Sequence, residues 1–272
     1  MPLIEADATG GHSRAHQPSG DAVAITWLGH ATVLVETGGE RLLTDPVLRG
    51  RVAHLRRHGP VPGVGPDDVD AVLVSHLHHD HLDTPSLRAL RTVPRAVVAP
   101  GAGELVRAAL DSDVVELAPG EGLDLDGVRI TATAAEHDGG RLTPRGVIRG
   151  TAVGFLVEAG STRIYFAGDT GAFPRMEELA PVDVALLPVW GWGATVGPGH
   201  LDPEQAAAAA ATLHARVAIP IHWGTFLPAG FRHRHAALLT GPGAAFAEAA
   251  ARLAPGTGVE LLSPGDSVRR AG

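Results

Sequence analysis

Ser75-His76-Leu77-His78-His79-Asp80-His81-Leu82-Asp83 gathers four metal-ligand candidates, His76, His78, Asp80 and His81, into one short stretch. Upstream, Ala71-Val72-Leu73-Val74 is an apolar, β-branched run that predicts a buried strand. Downstream, Thr84-Pro85-Ser86-Leu87 predicts a helix start, with Thr84 as cap and Pro85 at the first helical position. The stretch is therefore a tight turn at the carboxyl end of a strand, where α/β sheets build their sites. Imidazole and carboxylate are the ligands of Zn²⁺ where no thiolate is at hand, and the chain has no cysteine. His76 and His78, two apart, can converge on one ion. Asp80 and His81, adjacent, point at a second. A solvated loop is the plain alternative in a chain with 15 histidines. A scatter of surface histidines does not, however, place ligands between a buried strand and a helix cap.

His76-x-His78-x-Asp80-His81 resembles the signature of the metallo-β-lactamase superfamily of binuclear metallohydrolases. Trp27-Leu28-Gly29-His30-Ala31-Thr32, Thr44-Asp45-Pro46-Val47, His200-Leu201-Asp202-Pro203-Glu204-Gln205-Ala206 and Ile221-His222-Trp223-Gly224-Thr225-Phe226 look like one branch of it. That branch holds N-acylphosphatidylethanolamine phospholipase D-like and ascorbate-6-phosphate lactonase-like proteins. The resemblance implies an α/β (α+β) fold, a four-layer αββα sandwich of two facing sheets with helices outside. Candidate ligands at successive strand ends agree with it. The internal duplication expected of that fold is not visible as a sequence repeat.

The resemblance also extends the ligand set. Val128–Thr133 reads as a strand running into Ala134-Ala135-Glu136-His137, and His137 is the third ligand for the site of His76 and His78. Arg163–Ala167 pairs with 152–158 across Gly160-Ser161 and ends in Gly168-Asp169-Thr170. Asp169 beside glycine either caps the next helix or bridges two cations, and the motif favours the bridge. Val217–Ile221 leads into His222, the last ligand of the ion held by Asp80 and His81. The expected cofactors are two Zn²⁺, with Mn²⁺ or Fe²⁺ as alternatives. Asp80, His30 and His200 are the expected catalytic residues: matching histidines lie near the reaction centre, placed to hold substrate or protonate a leaving group. Asp45 is either a turn cap before Pro46 or, as the resemblance implies, a residue near the metals that is not a principal ligand; with Trp190 and Trp192 it is also a candidate substrate contact. The two tryptophans read equally as core plugs or as an apolar wall.

The 272 residues are 44% hydrophobic, enough for a sizeable core. A net charge of −8, from 22 Lys+Arg against 30 Asp+Glu, disfavours a nucleic-acid surface. No apolar run reaches the length of a membrane span, and the start lacks the basic and apolar regions of a signal peptide, so the expectation is cytoplasmic. Residues 1–21, polar and glycine-rich, read as a loose tail with His12 and His16 solvated, and 22–272 as one domain. Arg49–His58 is a basic run: ordinarily a solvated face, otherwise a rim that attracts an anionic substrate. His233 and His235, between arginines, read as surface residues. Asp202, Pro203 and Gln205 supply cap, first-turn proline and capping-box partner to an alanine-rich helix. Helices are also expected over 87–90, Gly103–Leu110 and Ala244–Leu253, and a final strand over Val259–Leu262.

The leading function is a binuclear metal-dependent hydrolase acting on a phosphodiester, lactone or related ester of a soluble, small-molecule substrate. The alternatives are an iron-dependent oxidoreductase on the same scaffold and a non-catalytic metal-binding protein. Flavodiiron-type oxidoreductases place Glu where His78 stands. Glyoxalase-like hydrolases follow the motif with glycine-rich sequence, where this chain has Leu82-Asp83-Thr84. The oligomeric state is not readable from these residues.

Overall fold

The computed structural model describes residues 22–191, 196–231 and 236–270. The expectations for the 1–21 tail, Trp192, His233 and His235 lie outside the described residues. The chain opens as an antiparallel meander, β1 (Val23–Gly29), β2 (Thr32–Thr37) and β3 (Glu40–Thr44). A small hairpin follows, β4 (Arg51–Val52) and β5 (Leu55–Arg57). Then β6 (Ala71–Val74), α1 (Thr84–Leu90), β7 (Thr92–Val98), α2 (Gly103–Arg107) and β8 (Asp111–Glu116) add parallel strands to β3.

The second half repeats that plan. β9 (Gly122–Leu125) and β10 (Val128–Asp138) pair antiparallel, and a two-stranded ribbon, β11 (Arg141–Thr143) and β12 (Gly146–Ile148), leads on to β13 (Thr151–Ala159) and β14 (Thr162–Phe166). From there β15 (Val184–Pro188), α3 (Pro203–Thr212) and β16 (Val217–Ile221) run parallel to β14. β17 (Phe226–Pro228) joins the β4–β5 hairpin, and α4 (Gly241–Leu253), β18 (Gly258–Val259) and β19 (Ser267–Arg270) close the chain. The two seven-stranded sheets run β19-β1-β2-β3-β6-β7-β8 and β9-β10-β13-β14-β15-β16-β18. In both, an antiparallel set gives way to parallel strands, at β3/β6 and at β14/β15.

Alternation on the strands sends one set of side chains between the sheets and the other outward. Ile25, Val35, Leu42, Leu73 and Val97 meet Ile130, Phe155, Val157, Leu186 and Ile219 in the central core. On the outer face of the first sheet, Leu43, Val72 and Val98 pack on Leu87 and Leu90 of α1 and Val106 of α2. On the second, Tyr165, Leu187 and Ala218 pack on the alanines of α3 and on Phe246 of α4. Each large apolar side chain buried this way contributes roughly 1.5–3 kcal/mol. The result is the expected αββα sandwich.

Local expectations shift in four places. The cap of α1 is Asp83, not Thr84, because the Asp83 carboxylate accepts from Ser86 N at 3.1 Å and Ser86 Oγ at 2.6 Å. α2 ends at Arg107, short of Leu110. The basic run is not simply a solvated face but forms the β4–β5 hairpin, with Arg57 buried. Val259–Leu262 is strand only at its start, and the last strand is β19, paired antiparallel with β1.

Candidate metal centre

The candidate residues come from the carboxyl ends of strands and the turns beside them. His76, His78, Asp80 and His81 follow β6, His137 lies near the end of β10, Asp169 follows β14, and His222 follows β16. All seven are brought together. Ligating atoms of His76, His78 and His137 lie within 4.8 Å of one another, as do those of His30, Asp80, His81 and His222, and those of His137, Asp169 and His200. Asp169 stands between the groups: Oδ1 is 3.2 Å from His222 Nε2, and Oδ2 is 3.2 Å from His81 Nε2 and 3.3 Å from His200 Nε2.

What lies behind each ring decides which nitrogen faces the centre. His137 Nδ1 donates to Gly199 O at 2.8 Å, and His222 Nδ1 to Trp190 O at 2.5 Å. A carbonyl only accepts, so the proton is on Nδ1 and the lone pair on Nε2. His81 Nδ1 donates to Asp45 Oδ2 at 2.7 Å. The Ser75 hydroxyl donates to Asp45 Oδ2 at 2.6 Å, which leaves its oxygen to accept from His76 Nδ1 at 3.0 Å. Four imidazoles thus turn Nε2 inward. Inward-facing nitrogens then crowd one another: His81 Nε2 and His222 Nε2 are 3.1 Å apart, and His78 Nδ1 and His137 Nε2 are 3.2 Å apart. His76 Nε2 and Asp169 Oδ1 are buried with no hydrogen-bond partner. Buried acceptors facing acceptors need a cation or a proton between them. The donor set, all nitrogen and oxygen, fits divalent metal.

Titration follows the same geometry. Burial lowers His76 well below its ordinary value, His78 to about 4 and His222 to about 3. Burial also opposes charge on His81, but the Asp169 and Asp45 carboxylates on either side outweigh it and raise its pKa well above the ordinary value. Burial would raise Asp80 and Asp169. For Asp80 the hydrogen bond from His30 and the charge of His81 overcome this, and for Asp169 the charges of His222 and His81 do, so both stay well below the usual carboxylate range. His200 is raised, since Asp169 outweighs its burial.

Strain collects here too. His30 (φ 57°), Asp45 (φ 33°) and His222 (φ 64°) are all in the left-handed region, a cost of order 1–3 kcal/mol each that surrounding bonds must hold. His30 is held by its N–H to Thr225 Oγ1 at 2.8 Å and by its carbonyl, which accepts from His222 N at 2.9 Å. That places His30 Nε2 3.1 Å from Asp80 Oδ2 and its ring, tilted by 36°, with its centroid 3.9 Å from that of His222. Gly168, at φ 61°, allows Asp169 its approach: a Cβ there would meet Ser75 Cβ at 2.8 Å.

A half-open cavity of about 450 Å³ lies over the centre, with His78, Asp80, Asp169 and His200 on its lining and Val52–Leu55 of the hairpin among its walls. Two expected substrate contacts are corrected. Asp45 is 0% exposed, its oxygens taken by Ser75 and His81, so it faces no substrate and instead orients the centre from behind. Trp190 is 5% exposed and absent from the cavity lining, and it contributes its carbonyl to His222. Two residues escaped the sequence reading. Ser75, next to the motif, was signalled only by adjacency. Arg141 carried no signal, yet it donates to Leu77 O at 3.2 Å and Leu82 O at 2.7 Å and so fixes the motif turn from both ends.

Two facing sheets with a ring of imidazoles and carboxylates at their shared strand ends define the metallo-β-lactamase class. The "Beta-lactamase superfamily domain" family matches residues 40–223. This chain belongs to the metallo-β-lactamase superfamily and, within it, to the UPF0173 metal-dependent hydrolase family. It is 36% identical over 217 residues to a UPF0173 metal-dependent hydrolase of Methanopyrus kandleri, covering 75% of this chain and 85% of that one. It is 34% identical over 227 residues to an uncharacterized protein of Mycobacterium tuberculosis, covering 76% of this chain but only 60% of the relative. In fold it resembles Igni18, a metallo hydrolase from Ignicoccus hospitalis, with a TM-score of 0.67 at 22% identity over 92% of this chain and 99% of that one.

Proposed function

We propose that this chain is a hydrolase working with two divalent cations, zinc foremost and manganese or iron(II) as alternatives, on an ester, lactone or phosphodiester of a small anionic substrate. The observation that supports it most is the inward turn of Nε2 on His76, His81, His137 and His222, each fixed by an acceptor behind its Nδ1. One cation would be held by His76, His78 and His137, the other by Asp80, His81 and His222, with Asp169 shared. Bound there, the cations would supply Lewis acidity and an activated water near neutral pH.

The chain's own residues supply the rest. His30 holds Asp80 through Nε2. His200, on the cavity wall with Nε2 3.3 Å from Asp169 Oδ2, is placed to pass a proton to a leaving oxygen. His54 on the lining belongs to the hairpin that carries the exposed Arg51 and Arg56, whose charge favours an anion. Strings shared with phospholipase D-like and ascorbate-6-phosphate lactonase-like proteins make phosphodiesters and phosphorylated lactones the first substrates to try.

Metal analysis of the purified chain, with turnover measured on that panel before chelation, after it and after zinc is returned, tests the reading. Turnover should vanish and return with metal, and Asp169→Ala should abolish it. Hydrolysis that survives complete chelation would refute the scheme.

A further inference from the structure

The β4–β5 hairpin carries an arginine used in an unusual way. Arg57 is 6% exposed and forms no ion pair among the described residues. It instead donates to three main-chain carbonyls: Nη1 to Leu28 O at 3.1 Å, Nη2 to Val47 O at 2.6 Å and Nε to Arg49 O at 3.2 Å. Its guanidinium also lies 4.9 Å from the centre of the Phe226 ring. Leu28 precedes the turn that bears His30, Val47 follows Asp45 by two residues, and Phe226 belongs to the segment after His222. One side chain therefore fastens the hairpin to three segments that end at the centre. The fit is tight, since a Cβ on Gly29 would come 2.8 Å from Arg57 Nη1. Beneath the hairpin, Val52 and Leu55 pack with Val47 and Phe226 as a small separate core. Ala229 N donates to His54 O at 2.9 Å, and β5 pairs with β17. What reaches the cavity from this platform is the turn, with Ala53 and His54 exposed and Ala53 held at φ 47°.

We propose that Arg57 is a positioning residue for substrate selection: its donors seat the β4–β5 hairpin as a fixed wall of the cavity, so that Ala53 and His54 meet the anionic substrate at the metal centre. A cation without a carboxylate partner, buried against carbonyls, is costly to keep and stabilises little by charge. Its return is geometric, as fixed position is what a binding wall needs. The proposal rests on the hydrolase reading for what the wall selects, but not for how it is seated.

The test compares zinc-loaded wild type, Arg57→Met, Arg57→Lys and His54→Ala, with bis(4-nitrophenyl) phosphate as probe. Hydrogen exchange of the 51–57 amides reports the seat directly. It should quicken about tenfold or more in Arg57→Met while the β6 amides stay slow, with partial recovery in Arg57→Lys. KM for the probe should rise roughly tenfold in Arg57→Met, with kcat and zinc content little changed. His54→Ala should raise KM with normal exchange. If Arg57→Met does not fold, Arg57→Lys and His54→Ala carry the same two readouts. Unchanged hairpin exchange, or a fall in kcat in step with lost zinc, overturns the proposal. A wild-type chain that binds zinc yet leaves the probe and the ester panel intact counts against the hydrolase reading, and exchange then decides the seat alone.

Discussion

His81 lies between two carboxylates, with Asp45 Oδ2 2.7 Å from Nδ1 and Asp169 Oδ2 3.2 Å from Nε2. Asp45 keeps the proton on Nδ1 and so leaves Nε2 for a cation. Asparagine has the same shape but brings donors. With its amide nitrogen toward His81, Nδ1 becomes the acceptor, the proton moves to Nε2 and the ligand is closed. With the amide reversed, nitrogen faces the Ser75 N–H, donor against donor. Asp45→Asn is therefore expected to weaken zinc binding roughly 10–100-fold, read by competition with a chromophoric chelator. An unchanged affinity removes Asp45 from the centre's working parts. The pH dependence of the metal-free chain follows from the same residues. Burial holds His78 at about 4 and His222 at about 3, below the ordinary 6.5. Between 6.5 and 4 the unfolded chain binds protons that these folded groups refuse, so stability rises with pH across that window. His30, His76 and His137, also lowered, act in the same direction. His81 and His200 act above that window: a raised folded pKa adds stability that is full below 6.5 and is lost as pH climbs through the folded value. Of these histidines only the lowered set changes protonation on unfolding within the window, so melting followed by circular dichroism in chelator should show Tm falling as pH drops from 6.5 to 4. A flat or rising Tm contradicts this balance.

Among the helices, α3 follows the centre closely in the chain, because His200 lies just ahead of it. Asp202 Oδ1 accepts from Gln205 N at 2.8 Å, and Gln205 Oε1 accepts from Asp202 N at 3.1 Å, closing a capping box. Asp202→Ala should cost about 1 kcal/mol, seen as a lower urea midpoint with an unchanged slope. An unaltered midpoint means that packing of the alanine face holds the helix without its cap. This box was legible in the sequence, as were the parallel strands, because Ala71–Val74 and Val217–Ile221 are buried on both faces and read as unbroken apolar runs. The β4–β5 hairpin was not legible: it is short, and its buried Arg57 looks like every solvated arginine in sequence. β19 escaped for a related reason. It is an edge strand, Ser267-Val268-Arg269-Arg270, whose one apolar residue, Val268, pairs with Ile25, and polar edges carry little pattern. At the centre the ligands were legible because the chemistry admits few residue types. Their supports were not, since the carbonyls of Trp190 and Gly199 belong to the main chain and leave no mark on residue identity.

Taken whole, the molecule shows in its sheet order the duplication that its sequence hides. Each sheet changes from antiparallel to parallel pairing once, and each change lies just before an aspartate, Asp45 after β3 and Asp169 after β14. Ligands sit where open sheets switch direction, and here the two switches are brought to opposite sides of His81. The first half contributes His76, His78, Asp80 and His81, and the second contributes His137, Asp169 and His222. Metal bound among them would tie one sheet to the other and be absent from the unfolded chain, so its binding free energy adds to folding. At a free concentration near 1,000 times Kd, one site adds about 4 kcal/mol, which for a chain of this size lifts Tm on the order of 10 °C. Differential scanning calorimetry of zinc-loaded and chelated protein at one pH measures this directly. Asp169→Ala, which removes the carboxylate shared by the two clusters, should erase most of the difference while leaving the melt of the chelated chain nearly in place. If loaded and stripped proteins melt together, the two halves are held by their apolar core alone, and the inward-turned imidazoles need another explanation than metal.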